Sequence, residues 1–191
     1  MLRVPRAASL PFVQGRLHAP YVVALRSTQP SDRQLLEALN LAGCEPSAPG
    51  SPHETLFLGR SGGWTLVVDD WFCTLWHLYR DHGVERALAR RWGVVFSTFV
   101  GDADQAYGLD HFRGEAHLRS RFVASPKFTD RVLERDFGDP LPGETASLFE
   151  MDGMDIALTL LRKQGIRIEP EIVSFRAYTY GSELTARGRT R

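Results

Sequence analysis

A chain of 191 residues with 43% hydrophobic and 24% charged residues suits one domain with a buried core. Its formal net charge of zero argues against a generic nucleic-acid binder. No apolar run approaches the ~20 residues of a membrane helix, and the opening stretch Met1–Ala19 has Ser9, Pro11 and Gln14 where a secretory segment would be apolar. The expected setting is therefore cytoplasmic, with no membrane and no nucleic acid as partners. Cys44 and Cys73 are expected to be reduced bystanders there.

Residues 1–19 read as irregular, 20–182 as one α+β domain and 183–191 as a polar tail. Tyr21–Leu25 is β-prone and predicts a first strand. Ser31 and Gln34 form a capping box, with Leu35, Leu36 and Leu39 at helical spacing behind it and Gly43 as the expected stop. Glu45–Pro52, with three prolines, reads as a loop. Glu54–Arg60 and Trp64–Val68 flank Ser61-Gly62-Gly63, a hairpin signal. Asp69 and Asp70 then stand where a carboxylate caps a helix over Trp71–Arg80. A short helix follows over Val84–Arg91.

Val94–Val100 suits a central strand. Gln105–Phe112 and Glu115–Val123 flank Arg113-Gly114. A turn at that pair sets Phe112 opposite Glu115 and Leu109 opposite Leu118. Tyr107, Leu109, Leu118 and Phe122 then share an apolar face, while Asp110, His117, Arg119 and Arg121 share a solvated one. Asp136–Glu144 reads as a loop. Thr145–Gln164 reads as helix, interrupted at Asp152-Gly153, with Ile156, Leu160 and Leu161 buried and Gly165 as the stop. Glu171–Tyr180 is a last strand. The expected architecture is an antiparallel β-sheet with helices packed on one face.

Few residues point to chemistry. Asp102 and Asp104, two apart after a strand, are the candidate metal ligands, because paired carboxylates chelate hard cations. A polar turn whose aspartates bond to nearby backbone N–H groups is the simpler reading, since no calcium-loop pattern continues from them. None of the six histidines has a helical i,i+4 partner. His117 faces Asp110 in the hairpin, which a solvated ion pair explains; a catalytic His–Asp pair is the other option. Asp69-Asp70 at a strand end suits a cap or a catalytic carboxylate. No nucleophile signature accompanies it, and no cofactor is expected.

The segment Asp130–Asp155 carries eight acidic residues against two arginines. It reads either as a solvated face or as a landing surface for a basic protein, with Asp136, Asp139, Glu144, Glu150 and Asp152 supplying the charge.

Gly63-Trp64-Thr65-Leu66-Val67-Val68-Asp69-Asp70, then Gly101-Asp102-Ala103-Asp104, then Gly138-Asp139-Pro140-Leu141-Pro142-Gly143-Glu144 resemble an uncharacterised type of bacterial α+β domain. In general character such domains are similar to small immunity proteins that neutralise bacterial toxins by binding them. The resemblance covers under half the chain and carries no activity and no site residue across; the expectation of a non-enzymatic binding protein rests on the missing catalytic signature together with the acidic segment. The alternative expectation is a metal-dependent hydrolase, with Asp102 and Asp104 holding the ion and a histidine such as His117 as base.

Overall fold

The computed structural model of the protein describes residues 7–8, 20–26, 30–41, 43–46, 55–70, 75, 82–101, 106–124, 132–169 and 172–179. In chain order these form β1 (Ala7–Ala8), β2 (Pro20–Arg26), α1 (Asp32–Ala38), β3 (Glu45–Pro46), β4 (Thr55–Ser61), β5 (Trp64–Asp70) and α2 (Gly83–Trp92). β6 (Val94–Val100), β7 (Tyr107–Arg113), β8 (Ala116–Ala124) and β9 (Val132–Phe137) follow, then a 3-10 turn (Ala146–Glu150), α3 (Gly153–Lys163) and β10 (Phe175–Thr179). The strands form one antiparallel sheet in the order β1-β10-β4-β5-β2-β6-β7-β8-β9, with β3 also on β10. The fold is α+β and dominated by its sheet.

Local chemistry accounts for the ends of these elements. Ser31 Oγ accepts from the Gln34 N–H while Gln34 Oε1 accepts from the Ser31 N–H, so the expected capping box is present. The helix stops earlier than expected, at Leu39, with Asn40 rather than Gly43 in the left-handed region. Gly62 and Gly63 both have positive φ, as a two-residue hairpin turn between β4 and β5 requires. Asp69 Oδ2 accepts from the Leu75 N–H, six residues on, at 2.7 Å. Of the expected helix over 71–80, Leu75 is described and is helical; the others lie outside the described residues.

The sheet is covered on both sides, which corrects the expectation of helices on one face. Val22 and Ala24 of β2, with Leu66 and Val68 of β5, join one core with Ile156, Leu160 and Leu161 of α3. Their strand neighbours Tyr21, Val23, Leu25 and Val67 join a second core with Leu35 and Leu36 of α1, Leu39 just past its end, and Val84, Leu88 and Ala89 of α2. Side chains alternate across a strand, so the two cores lie on opposite faces. The central strands are apolar on both faces.

Two further readings are corrected. The β7–β8 turn is Gly114-Glu115, with Arg113 opposite Ala116 and Phe112 opposite His117. His111 then pairs with Arg119, so Leu118 is an extra residue in a β-bulge. Leu118 turns to solvent and Arg119 is buried, the reverse of the expectation. The loop expected over Asp136–Glu144, for its part, starts later, because Asp136 and Phe137 end the outer strand β9 (Val132–Phe137).

Candidate functional site

The bulge determines which side chains meet beside β7. Beyond it, Asp110 pairs with Ser120, and in a regular ladder Leu118 would then stand opposite Phe112. The extra residue puts His117 there instead. Its ring stacks on Phe112 with centroids 4.0 Å apart, and its Nε2 lies 2.8 Å from Asp110 Oδ1. The sequence paired His117 with Asp110 through a register that the structure does not have, and expected the pair in solvent. Asp110 is 1% exposed.

A third member comes from α2. His82 is the residue before its first turn and has φ 61°, a conformation that costs an L-residue roughly 1–2 kcal/mol. This places His82 Nδ1 3.3 Å from Asp110 Oδ2. One ligand-type atom from each of His82, Asp110 and His117 lies within 4.8 Å of the others. Sequence reading missed His82 because no helical spacing links it to another ligand; its position depends on a left-handed residue and on the packing of α2 over the sheet.

Surrounding groups hold the carboxylate in place. The Ser120 hydroxyl bonds to Asp110 and accepts from Arg135 Nε at 2.5 Å, while Arg135 Nη2 stands 3.6 Å from Asp110 Oδ1. Burial pushes the Asp110 carboxyl up, but the hydrogen bonds from His117, His82 and Ser120, together with the charge of His82, outweigh it and hold Asp110 below its ordinary value. Phe137 meets the His117 ring edge-on at 4.8 Å.

The same sheet face carries a second polar unit. Glu85, one turn past His82, is 2% exposed, and its Oε1 accepts from Tyr21 at 2.6 Å and from Ser97 at 2.7 Å. Glu85 Oε2 is buried with no hydrogen-bond partner among the described residues. Ser97 is the cross-strand neighbour of Asp110. Burial, then the charge and hydrogen bond of Glu85, and then the charges of Asp110 and Asp69, raise the Tyr21 hydroxyl well above its ordinary value.

The expected candidate residues fare differently. Asp102 and Asp104 lie outside the described residues. Asp136 and Glu144 are tied inward by Arg119, whose side chain is 3% exposed. Arg119 Nη2 donates to Glu144 Oε2 at 2.5 Å, Nη1 donates to Asp136, and the same nitrogen donates to the Phe137 carbonyl at 2.8 Å. Asp136 also accepts from Arg121, and Glu144 accepts from the Leu141 N–H. Asp152 caps α3 by accepting from the Met154 N–H at 2.9 Å. Asp139 and Glu150 are exposed.

Comparison with known protein families, curated proteins and solved structures finds no match for this chain. No helix among the described residues is long and apolar enough to cross a membrane.

Proposed function

We propose that the protein is a binding module for a basic protein partner, engaged along the outer strand β9 and the acidic segment that follows it. The observation that supports this is a coincidence of exposed apolar and acidic groups. Five large apolar side chains are exposed among the described residues, and four of them, Leu118, Leu133, Phe137 and Met151, fall between positions 118 and 151. Glu134, Asp139 and Glu150 are exposed in the same stretch. Apolar anchors provide contact area and an acidic rim steers a cation-rich surface. The two roles separate here, because Asp136, Glu144 and Asp152 are already engaged within the protein, while Glu134, Asp139 and Glu150 face outward toward a partner.

β9 pairs with β8 on one side and ends the sheet among the described strands. An edge strand offers backbone groups to an incoming chain, which suits binding through strand addition as well as side-chain contact. The partner class suggested by the resemblance to immunity-type domains is a toxin, neutralised in the cytoplasm by occlusion of its basic surface.

The test is titration against purified basic proteins, beginning with any toxin encoded beside the gene. Leu133→Ser and the pair Asp139→Asn with Glu150→Gln are expected to weaken binding tenfold or more. Affinity indifferent to these changes, or no complex with any basic protein at low salt, contradicts the proposal.

A further inference from the structure

We propose that His82, Asp110 and His117 form a binding site for one divalent transition-metal ion of the zinc type. The site stands on its own geometry and is independent of the partner proposed above. With metal–ligand bonds of about 2.0–2.2 Å, two ligands of one ion stand roughly 3–4 Å apart. The Asp110 contacts with His82 and His117 are 3.3 Å and 2.8 Å, and all three ligand atoms lie within 4.8 Å of one another. Small shifts of two rings therefore open room for an ion.

The donor set selects the ion. Two imidazoles and one carboxylate suit zinc, cobalt or nickel, whereas magnesium and calcium take oxygen ligands. The surroundings fit an ion as well. Ser120 and Arg135 contact the Asp110 carboxylate and fix its orientation, as outer groups do around metal ligands. Phe112 and Phe137 hold the His117 ring. Glu85, buried on the same face, adds negative charge that a dication offsets.

Binding carries a proton balance. In the tautomer that donates to Asp110, His117 exchanges its Nε2 proton for one on Nδ1 through solvent, so the ring stays a neutral imidazole with its Nε2 lone pair on the metal, and Asp110 stays anionic. Three protein ligands leave a position for water, the ligand count of an open site rather than a closed structural one. The ion would also pin the start of α2 to β7 and β8, because the three ligands come from those elements.

Chelator-treated full-length protein, titrated with Zn²⁺ and separately with Co²⁺, tests this. The expected result is one equivalent bound per chain, a raised Tm, and visible Co²⁺ bands of a four- or five-coordinate ion. His82→Gln and His117→Gln should each lower affinity at least tenfold, while His111→Gln, on the same strand as Asp110, should leave it unchanged. X-ray absorption of the zinc-loaded wild type should show imidazole ligands, a readout that does not depend on the variants folding. Absence of a stoichiometric ion, unchanged affinity in both site variants, or an all-oxygen ligand shell overturns the proposal.

Discussion

The carboxylate of Asp32, at the first residue of α1, accepts a hydrogen bond of 2.6 Å from the hydroxyl of Tyr178 on β10. Arg176, two residues before it on the same strand, donates to the same carboxylate. The start of α1 is thereby fastened to β10. Burial pushes the Asp32 carboxyl up, but the hydrogen bonds of Arg176 and Tyr178 and the charges of Arg176 and Arg60 prevail and hold it below its ordinary value. Burial and the Asp32 contact together push the Tyr178 hydroxyl up to about 12.

Asp32→Asn should therefore cost about 2 kcal/mol of unfolding free energy at neutral pH, the scale of hydrogen bonds to a charged group. The sign of the pH dependence follows from the depressed folded value. Stability from Asp32 is complete above the unfolded carboxylate value of ~3.9 and is lost as pH falls through the lower folded value. Urea unfolding at pH 7 and in acid should show the gap between wild type and variant closing in acid. A gap of constant size would mean that charge plays no part.

Arg119 is heavily committed, with Glu144, Asp136 and the Phe137 carbonyl on its guanidinium. Its removal leaves Glu144, whose side chain is 2% exposed, without that cation. Arg119→Ala should destabilise by about 3–5 kcal/mol. Arg119→Lys should rescue little of this, because an ammonium cannot reproduce the two-pronged contact of Nε and Nη2 with Glu144. Denaturant midpoints of the two variants decide the point; near-full rescue by lysine would reduce the clamp to simple charge pairing.

Gly138 and Gly114 both have positive φ but differ in surroundings. A Cβ on Gly138 would stand 1.9 Å from the Leu118 carbonyl oxygen, whereas one on Gly114 meets nothing within 4 Å. Gly138→Ala should cost ~3 kcal/mol or more, combining left-handed strain with a backbone clash. Gly114→Asn should stay within about 0.5 kcal/mol, since asparagine tolerates that conformation. Thermal denaturation of the pair separates clash from conformation.

The proposed interface predicts a salt dependence of its own. Exposed carboxylates act over about 10 Å at 0.1 M salt, so raising salt should slow association with a basic partner while dissociation changes little. Stopped-flow or surface-binding kinetics across a salt series test this. An association rate indifferent to salt would remove the steering role of Asp139 and Glu150.

Local signals proved legible where the chemistry is local. The capping box of Ser31 and Gln34, the Gly62-Gly63 turn and the stop at Gly165 are each set within a few residues and appear as read. The β7–β8 register was misread because apolar alternation favours an inward Leu118, and nothing nearby shows that an inward Arg119 will be satisfied. Its partners Asp136 and Glu144 arrive from β9 and the loop beyond it. β9 itself was hidden by its charges, which an outer strand tolerates. The acidic residues were legible as charge but not as caps and clamps. Of the His–Asp–His cluster, the sequence offered the pair Asp110 and His117 and concealed His82, whose placement is tertiary.

Leu118 matters less for its side chain than for its place in the count. Positions two apart on a strand normally look the same way, yet His117 reaches Asp110 on one side of the sheet while Arg119 grips Glu144 on the other. The surplus residue between them changes the parity of the strand, so β8 contributes an imidazole to one layer and a guanidinium to the opposite layer within three consecutive positions.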